Sequence, residues 1–175
     1  MIEFVLGGGC FWCLDSAYMQ LRGIHDVEVG YMGGRSLNPS YEDVCNGDTG
    51  HVEVAKVIFD ERVIPAEVVL DVFFTLHDPT QLNRQGHDIG TQYRSVMFYQ
   101  NNDELAQFTA AVERAKQVWG DGIVTALEPA TEFYRGEEYH QDFFAKNPGQ
   151  GYCNAVVLPK MLKVRSAFTQ YLRTE

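Results

Sequence analysis

The first residues of the chain commit it to a strand that turns sharply into a helix. Ile2, Phe4, Val5 and Leu6 form a short apolar run, and Gly7-Gly8-Gly9 follows it. Beyond Cys10, the residues Phe11, Leu14, Tyr18 and Leu21 recur at helical spacing, and Gly23 reads as the stop. Cys10 therefore stands where the glycine turn meets the first turn of a helix. Unpaired backbone N–H groups and the positive end of the helix dipole converge there. Such a position favours a thiolate, the nucleophilic form of cysteine. A buried structural thiol is the alternative for any free cysteine. The glycines before Cys10 and the aromatics after it favour the reactive role.

The remaining pattern predicts an α/β chain. Val27, Val29 and Tyr31 alternate with polar neighbours, as a half-buried strand does. Residues 35–50 are a polar loop, and His51 to Phe59 is a second strand with both faces largely apolar. Pro65 suits the first turn of a helix with the stripe Val68, Val72, Phe73 and Leu76. A further polar loop over 79–94 precedes a strand from Ser95 to Tyr99. Asn101 and Glu104 then resemble a capping box for a helix that ends at Gly120. Short strands are expected over 123–127 and 130–134, a short helix over 137–146, a break at 147–151, and a last helix over about 159–172. The early order of strand, helix, strand, strand, helix, strand is the split βαβ arrangement of ferredoxin-like folds. We expect a two-layer sandwich, a mixed sheet covered by helices, with additional C-terminal coil and helix. Residues 1–175 read as one domain, since 175 residues suit one core and no linker or repeat interrupts them.

Charge and length narrow the partners. A net charge of −10 argues against nucleic acid or an anionic membrane. No apolar run approaches spanning length, and the N-terminus carries no basic leader region. A chain of this size does not need disulfide staples, so the four cysteines suggest thiols in a reducing compartment, the cytoplasm by default.

Several side chains could carry chemistry. Cys10 and Cys13 form C-x-x-C, a spacing shared by redox proteins and zinc sites, but no second pair follows. His51, His77, His87 and His140 lack helical ligand spacing, so neither a metal nor a bound cofactor is expected. Phe11 follows the core stripe. Trp12 lies off it, beside Asp15 and Ser16, and is either core or an apolar wall for a small substrate group. Glu53 shares a strand face with Ala55, Val57 and Phe59. If that face is buried, desolvation holds its proton near neutrality; the alternative is a strand-end carboxylate reaching solvent. Tyr41, Asp88 and Tyr93 sit in long loops, where polar groups are either idle or part of a site.

The run Gly9-Cys10-Phe11-Trp12 resembles the signature of the type A peptide-methionine sulfoxide reductases, the family specific for the S epimer. The resemblance continues through Asn38-Pro39-Ser40-Tyr41 with Cys45, Thr49-Gly50-His51-Val52-Glu53, 88–95, Tyr139-His140-Gln141 and Gly151-Tyr152-Cys153. It implies attack by Cys10 on the sulfoxide sulfur, with a proton from Glu53. Tyr41 and Tyr93 would hydrogen-bond the sulfoxide oxygen, and Asp88 would support nearby groups. Phe11 and Trp12 would hold the S-methyl group, with Tyr152 alongside. The sulfenic acid on Cys10 would close a disulfide with a second thiol, which thioredoxin would reduce. Cys153 matches the family's resolving position and follows a Pro148-to-Gly151 stretch flexible enough to swing; Cys13, held one helical turn away, is an alternative or a relay. Cys45 is a bystander in this scheme. Many members end in a glycine-rich tail with a further cysteine, whereas this chain runs from Cys153 into Val156-Val157-Leu158 and a helix. The resemblance implies methionine sulfoxide, free or in oxidised proteins, as substrate, and a monomer.

Two rival readings remain on residues alone. A thioredoxin-like dithiol exchanger would use Cys10 and Cys13 and leave Glu53 and the tyrosine loops without a role. A redox-sensing domain would oxidise slowly and not turn over.

Overall fold

The computed structural model describes residues 1–174. β1 (Ile2–Gly7), α1 (Phe11–Met19) and β2 (Ile24–Met32) come first, then α2 (Tyr41–Cys45), β3 (Val52–Phe59) and α3 (Ala66–Leu76). A small hairpin of β4 (Arg84–Gln85) and β5 (Asp88–Ile89) precedes β6 (Val96–Tyr99). The chain continues with α4 (Asn102–Trp119), β7 (Ala126–Pro129), β8 (Tyr134–Arg135), α5 (Phe143–Lys146) and α6 (Leu158–Ala167).

The main sheet has the order β7-β6-β1-β3-β2-β8. Its central strands β6, β1, β3 and β2 are antiparallel neighbours, joined in the expected split βαβ sequence. β7 adds parallel to β6 and β8 antiparallel to β2, which makes the sheet mixed. Side chains of β3 alternate between two cores, as strand geometry requires. Ala55, Val57 and Phe59 pack with Phe4, Leu14, Tyr18, Phe73 and Phe108 under the helices. Val52 and Val54 join Val5, Val96 and Phe98 on the other face, which Ala126, Ala130 and Phe133 cover without a helix. Each large side chain buried this way contributes roughly 2–3 kcal/mol.

Besides its apolar face, helix α1 is tied to α3 by a buried polar contact. The Tyr18 hydroxyl donates to the Val69 carbonyl at 2.6 Å. Tyr18→Phe leaves that carbonyl buried and unpaired, which should cost about 1–3 kcal/mol, or a drop in Tm of several degrees. Urea denaturation of the two proteins measures it; equal midpoints would show that the carbonyl finds another donor.

Several local expectations change. The loop over 35–50 contains α2, because Ser40 Oγ accepts from Asp43 N–H and Asp43 Oδ2 accepts from Ser40 N–H, a reciprocal cap. Pro65 is the N-cap of α3 rather than part of its first turn. The expected strand over 130–134 shrinks to β8, since Tyr134 and Arg135 alone pair with β2. At Gly30, opposite them, the Tyr134 carbonyl and the Phe133 ring approach so closely that no Cβ fits. The segment over 137–146 divides into a 3₁₀ turn at Glu138–His140 and the short α5. The last helix starts early: Gly151 and Tyr152 are already helical, Cys153–Val157 form a π turn, and α6 runs on from it to Ala167.

Candidate active site

The glycine turn delivers Cys10 to the N-cap of α1, with extended backbone (φ −66°, ψ 130°). Gly9 before it has φ +85°, a conformation that favours glycine, and its N–H donates to the Tyr93 carbonyl at 3.2 Å. The cysteine turn and the loop bearing Tyr93 are thus one assembly. From β3, Glu53 reaches the same place: its Oε1 accepts the Phe11 N–H at 3.2 Å. Glu53 is 1% exposed, so its strand face is buried. Burial, foremost, raises its pKa to about 8, against the Phe11 N–H bond that favours the charged form. At neutral pH this carboxyl holds its proton.

The electrostatics of Cys10 differ from the sequence expectation. The helix start was expected to stabilise a thiolate; instead burial pushes the Cys10 thiol well up, reinforced by Cys13 and Glu53. The Phe11 N–H goes to Glu53, and the Trp12 N–H opposes the rise. Cys10 and Cys13 share a hydrogen bond, which draws Cys13 down, with the Lys160 ammonium helping and burial opposing. Cys10 is therefore kept protonated.

Around this centre lie the other predicted residues. The Tyr41 ring stacks on Phe11 at 6.4 Å, and its N–H donates to Glu137 Oε2 at 2.9 Å. Tyr41 and Tyr93 both have raised pKa values, mainly from burial and then from the Glu53 charge, so both stay proton donors. Asp88 accepts a hydrogen bond from the Tyr152 hydroxyl. Tyr152 in turn meets Trp12 edge-on, with ring centroids 5.7 Å apart. Cys10, Cys13 and Cys153 belong to one apolar cluster with Phe11, Tyr31 and Val44. Cys153 is fully buried in the π turn, so the swinging loop expected before it is helical from Gly151. Cys45 is exposed on α2, outside the three-thiol cluster. Four cysteines are free, and among the described residues no group of three or more His, Cys, Asp or Glu could hold a metal ion.

Sequence reasoning missed the strap over 137–146 as part of the site. Glu137 Oε1 accepts from the Tyr31 hydroxyl at 2.9 Å while its Oε2 holds Tyr41. Phe143 stacks flat on Trp12 at 3.8 Å, and His140 accepts the Trp12 indole N–H. The available signal was Trp12 itself: an aromatic off the buried stripe of α1 needs a cover from elsewhere in the chain.

A protonated carboxyl, phenolic donors and paired thiols gathered at one helix start define a cysteine-based redox enzyme. Comparison with known proteins gives the family. The family model described as peptide methionine sulfoxide reductase matches residues 2–172, and the chain belongs to that family. Peptide methionine sulfoxide reductase MsrA of Clavibacter michiganensis is 60% identical over 173 residues, covering 99% of each chain. Mxr1 from Saccharomyces cerevisiae in reduced form has a TM-score of 0.82 at 38% identity, covering 87% of this chain and 88% of that one. The same yeast protein in complex with Trx2 has a TM-score of 0.58 at 27% identity, over 81% and 84% of the two chains.

Proposed function

We propose that the protein reduces methionine S-sulfoxide, free or in oxidised proteins, at a site centred on Cys10, within a single catalytic domain spanning 1–175. The observation that carries this reading is the neutral Glu53 carboxyl, fixed by the Phe11 N–H next to the thiol. A plain dithiol exchanger can use a buried acid to move a thiol proton, but it has no use for the two phenolic donors, Tyr41 and Tyr93, beside it. A sulfoxide uses acid and donors together, because its oxygen leaves sulfur only after protonation. The Cys10 sulfur bonds to the sulfoxide sulfur while Glu53, with Tyr41 and Tyr93 as hydrogen-bond donors, protonates the oxygen and takes up the Cys10 thiol proton in exchange. The hydroxyl then passes from the substrate sulfur to the Cys10 sulfur as the sulfur–sulfur bond breaks, so methionine departs as the thioether and Cys10 is left as sulfenic acid. Asp88 orients Tyr152. Phe11, Trp12 and Tyr152 form the wall for the S-methyl group.

The thiol arrangement supports Cys13 as the first resolver. Cys10 precedes the helix, so the pair occupies its N-cap and first turn, where the Cys13 N–H donates to the Cys10 carbonyl at 3.1 Å. The Cys13 thiolate attacks the Cys10 sulfur, hydroxide leaves with a proton as water, and a disulfide forms. Cys153 then attacks Cys13 once the π turn opens, which frees Cys10. The yeast complex with Trx2 supports a thioredoxin as the reductant. Free thiols throughout suit a reducing compartment, the cytoplasm, and no described helix is long and apolar enough to cross a membrane.

The test uses both epimers of a blocked methionine sulfoxide. The S epimer should turn over with thioredoxin and the R epimer should not. Cys153→Ser should still release one equivalent of methionine rapidly and trap Cys10 linked to Cys13, read by mass spectrometry. An early Cys10–Cys153 link in the parent would give Cys153 the first step, and no methionine from either epimer would end the reductase reading.

A further inference from the structure

The Trp12 indole is held on three sides, and only one contact is directional. Phe143 lies flat on its face at 3.8 Å, with 4° between the rings, a contact that tolerates in-plane rotation. Tyr152 meets it edge-on. The remaining contact is the indole N–H, which donates to His140 Nδ1 at 3.1 Å. An indole nitrogen can only donate, so Nδ1 must offer a lone pair and the imidazole hydrogen must sit on Nε2.

His140 is built for that one form. It is 1% exposed, and its Nε2 is buried without a partner. A second proton would turn Nδ1 into a donor facing another donor and would bury a net charge. Burial, foremost, lowers the pKa of His140, with the nearby Glu137 charge opposing. The backbone on its C-terminal side is pinned as well. The Gln141 carboxamide accepts the Val29 N–H and donates to the Val29 and Gly136 carbonyls, all within 2.9–3.0 Å. The Asp142 N–H donates to Asp15 Oδ2 at 2.8 Å, returning the strap to α1 next to Trp12.

We propose that His140 is a positioning residue: as a neutral acceptor at Nδ1 it fixes the Trp12 indole and so sets the width of the pocket for the S-methyl group. This rests on the reading of Trp12 as a wall of that pocket. The imidazole touches no reacting atom; its ring also packs on Phe11 and Tyr41, with centroids 5.1 and 4.5 Å away, but its directional contact is with the indole, and through it His140 acts on substrate selectivity.

The experiment compares the S-sulfoxides of methionine and its S-ethyl homologue in single-turnover and steady-state assays. His140→Phe keeps a ring but removes the acceptor. KM for the methyl substrate should rise about 5–10-fold with the saturating single-turnover rate within about twofold, and the methyl-over-ethyl preference should fall by a similar factor. His140→Gln, whose carboxamide oxygen accepts an indole N–H, should restore most of both. In a Trp12→Phe background, His140→Phe should change neither quantity. A folded His140→Phe with parental KM and preference overturns the proposal, as does an equal loss in the Trp12→Phe background. Nitrogen-15 NMR of the parent decides the contact even where the variants fail to fold: Nε2-protonated His140 is expected, and an Nδ1–H form overturns it. Unchanged KM and preference in Trp12→Phe alone, with the expected tautomer present, would sink the pocket reading and leave the His140–Trp12 contact standing.

Discussion

Cys10→Ser should reduce methionine release to background, a loss of roughly 10⁴-fold or more, the scale reached when a covalent nucleophile is removed. The reason is chemical rather than steric. A serine hydroxyl is neither ionised at neutral pH nor soft enough to attack sulfur, and in this position burial already raises the pKa of a far more acidic thiol. The substitution is nearly isosteric in a site 7% exposed, so the variant should fold and melt close to the parent. The assay is methionine formed per enzyme with excess dithiothreitol and the S epimer. Release within a few-fold of the parent would move the nucleophile to Cys13 or Cys153, the other thiols of the cluster.

Glu53→Gln should slow the chemical step by on the order of 10²-fold or more while leaving substrate binding nearly intact. The amide keeps the shape, and its oxygen can still accept the Phe11 N–H that Glu53 now takes at 3.2 Å. It has no proton to give as the oxygen leaves. In the parent, the acid is lost as pH rises through its pKa of about 8, so single-turnover sulfenic acid formation should fall there, and the variant should lack that fall. Stability carries the same signature with a defined sign. The pKa of Glu53 is raised on folding, from 4.5 to about 8. Its penalty is absent below the unfolded value, grows as pH rises between the two, and levels off at roughly 4–5 kcal/mol above pH 8. Glu53→Gln should therefore match the parent in Tm near pH 4 and exceed it by several degrees at pH 8.5. Equal melting curves at both pH values, or unchanged sulfenic acid formation, would make Glu53 an ordinary core residue.

Much of the frame was legible because it follows from local rules. Alternation along His51 to Phe59 put Glu53 on the same face as Ala55, Val57 and Phe59, and that face is the buried one. The glycine run and the helical spacing after Cys10 located the strand-to-helix turn, and Asn101 caps α4 by accepting the Glu104 N–H. What escaped depends on distant partners. The acidity of Cys10 could not be read from its place at a helix start, because the burial that chiefly raises it is supplied by distant elements, among them Glu53, 42 positions away, which also takes the Phe11 N–H. The strap over 137–146 carries weak periodicity; its place follows from Trp12, Tyr41 and Tyr31, each contributed by another element. The stretch after Pro148 reads as flexible from its glycines. It is helical by Gly151 because Val157 and Cys153 bury their side chains against α1's cluster.

The protonated state of Cys10 also governs what the enzyme ignores. Peroxides and alkylating agents react with thiolates far faster than with thiols. A nucleophile kept as a thiol behind burial, with its helix N–H partner committed to Glu53, is chemically dormant toward such reagents. A sulfoxide brings an oxygen that can draw the Glu53 proton and a sulfur that becomes electrophilic as it does so. Between encounters Cys10 is therefore less open than an ionised thiol to the oxidants that generate its own substrate.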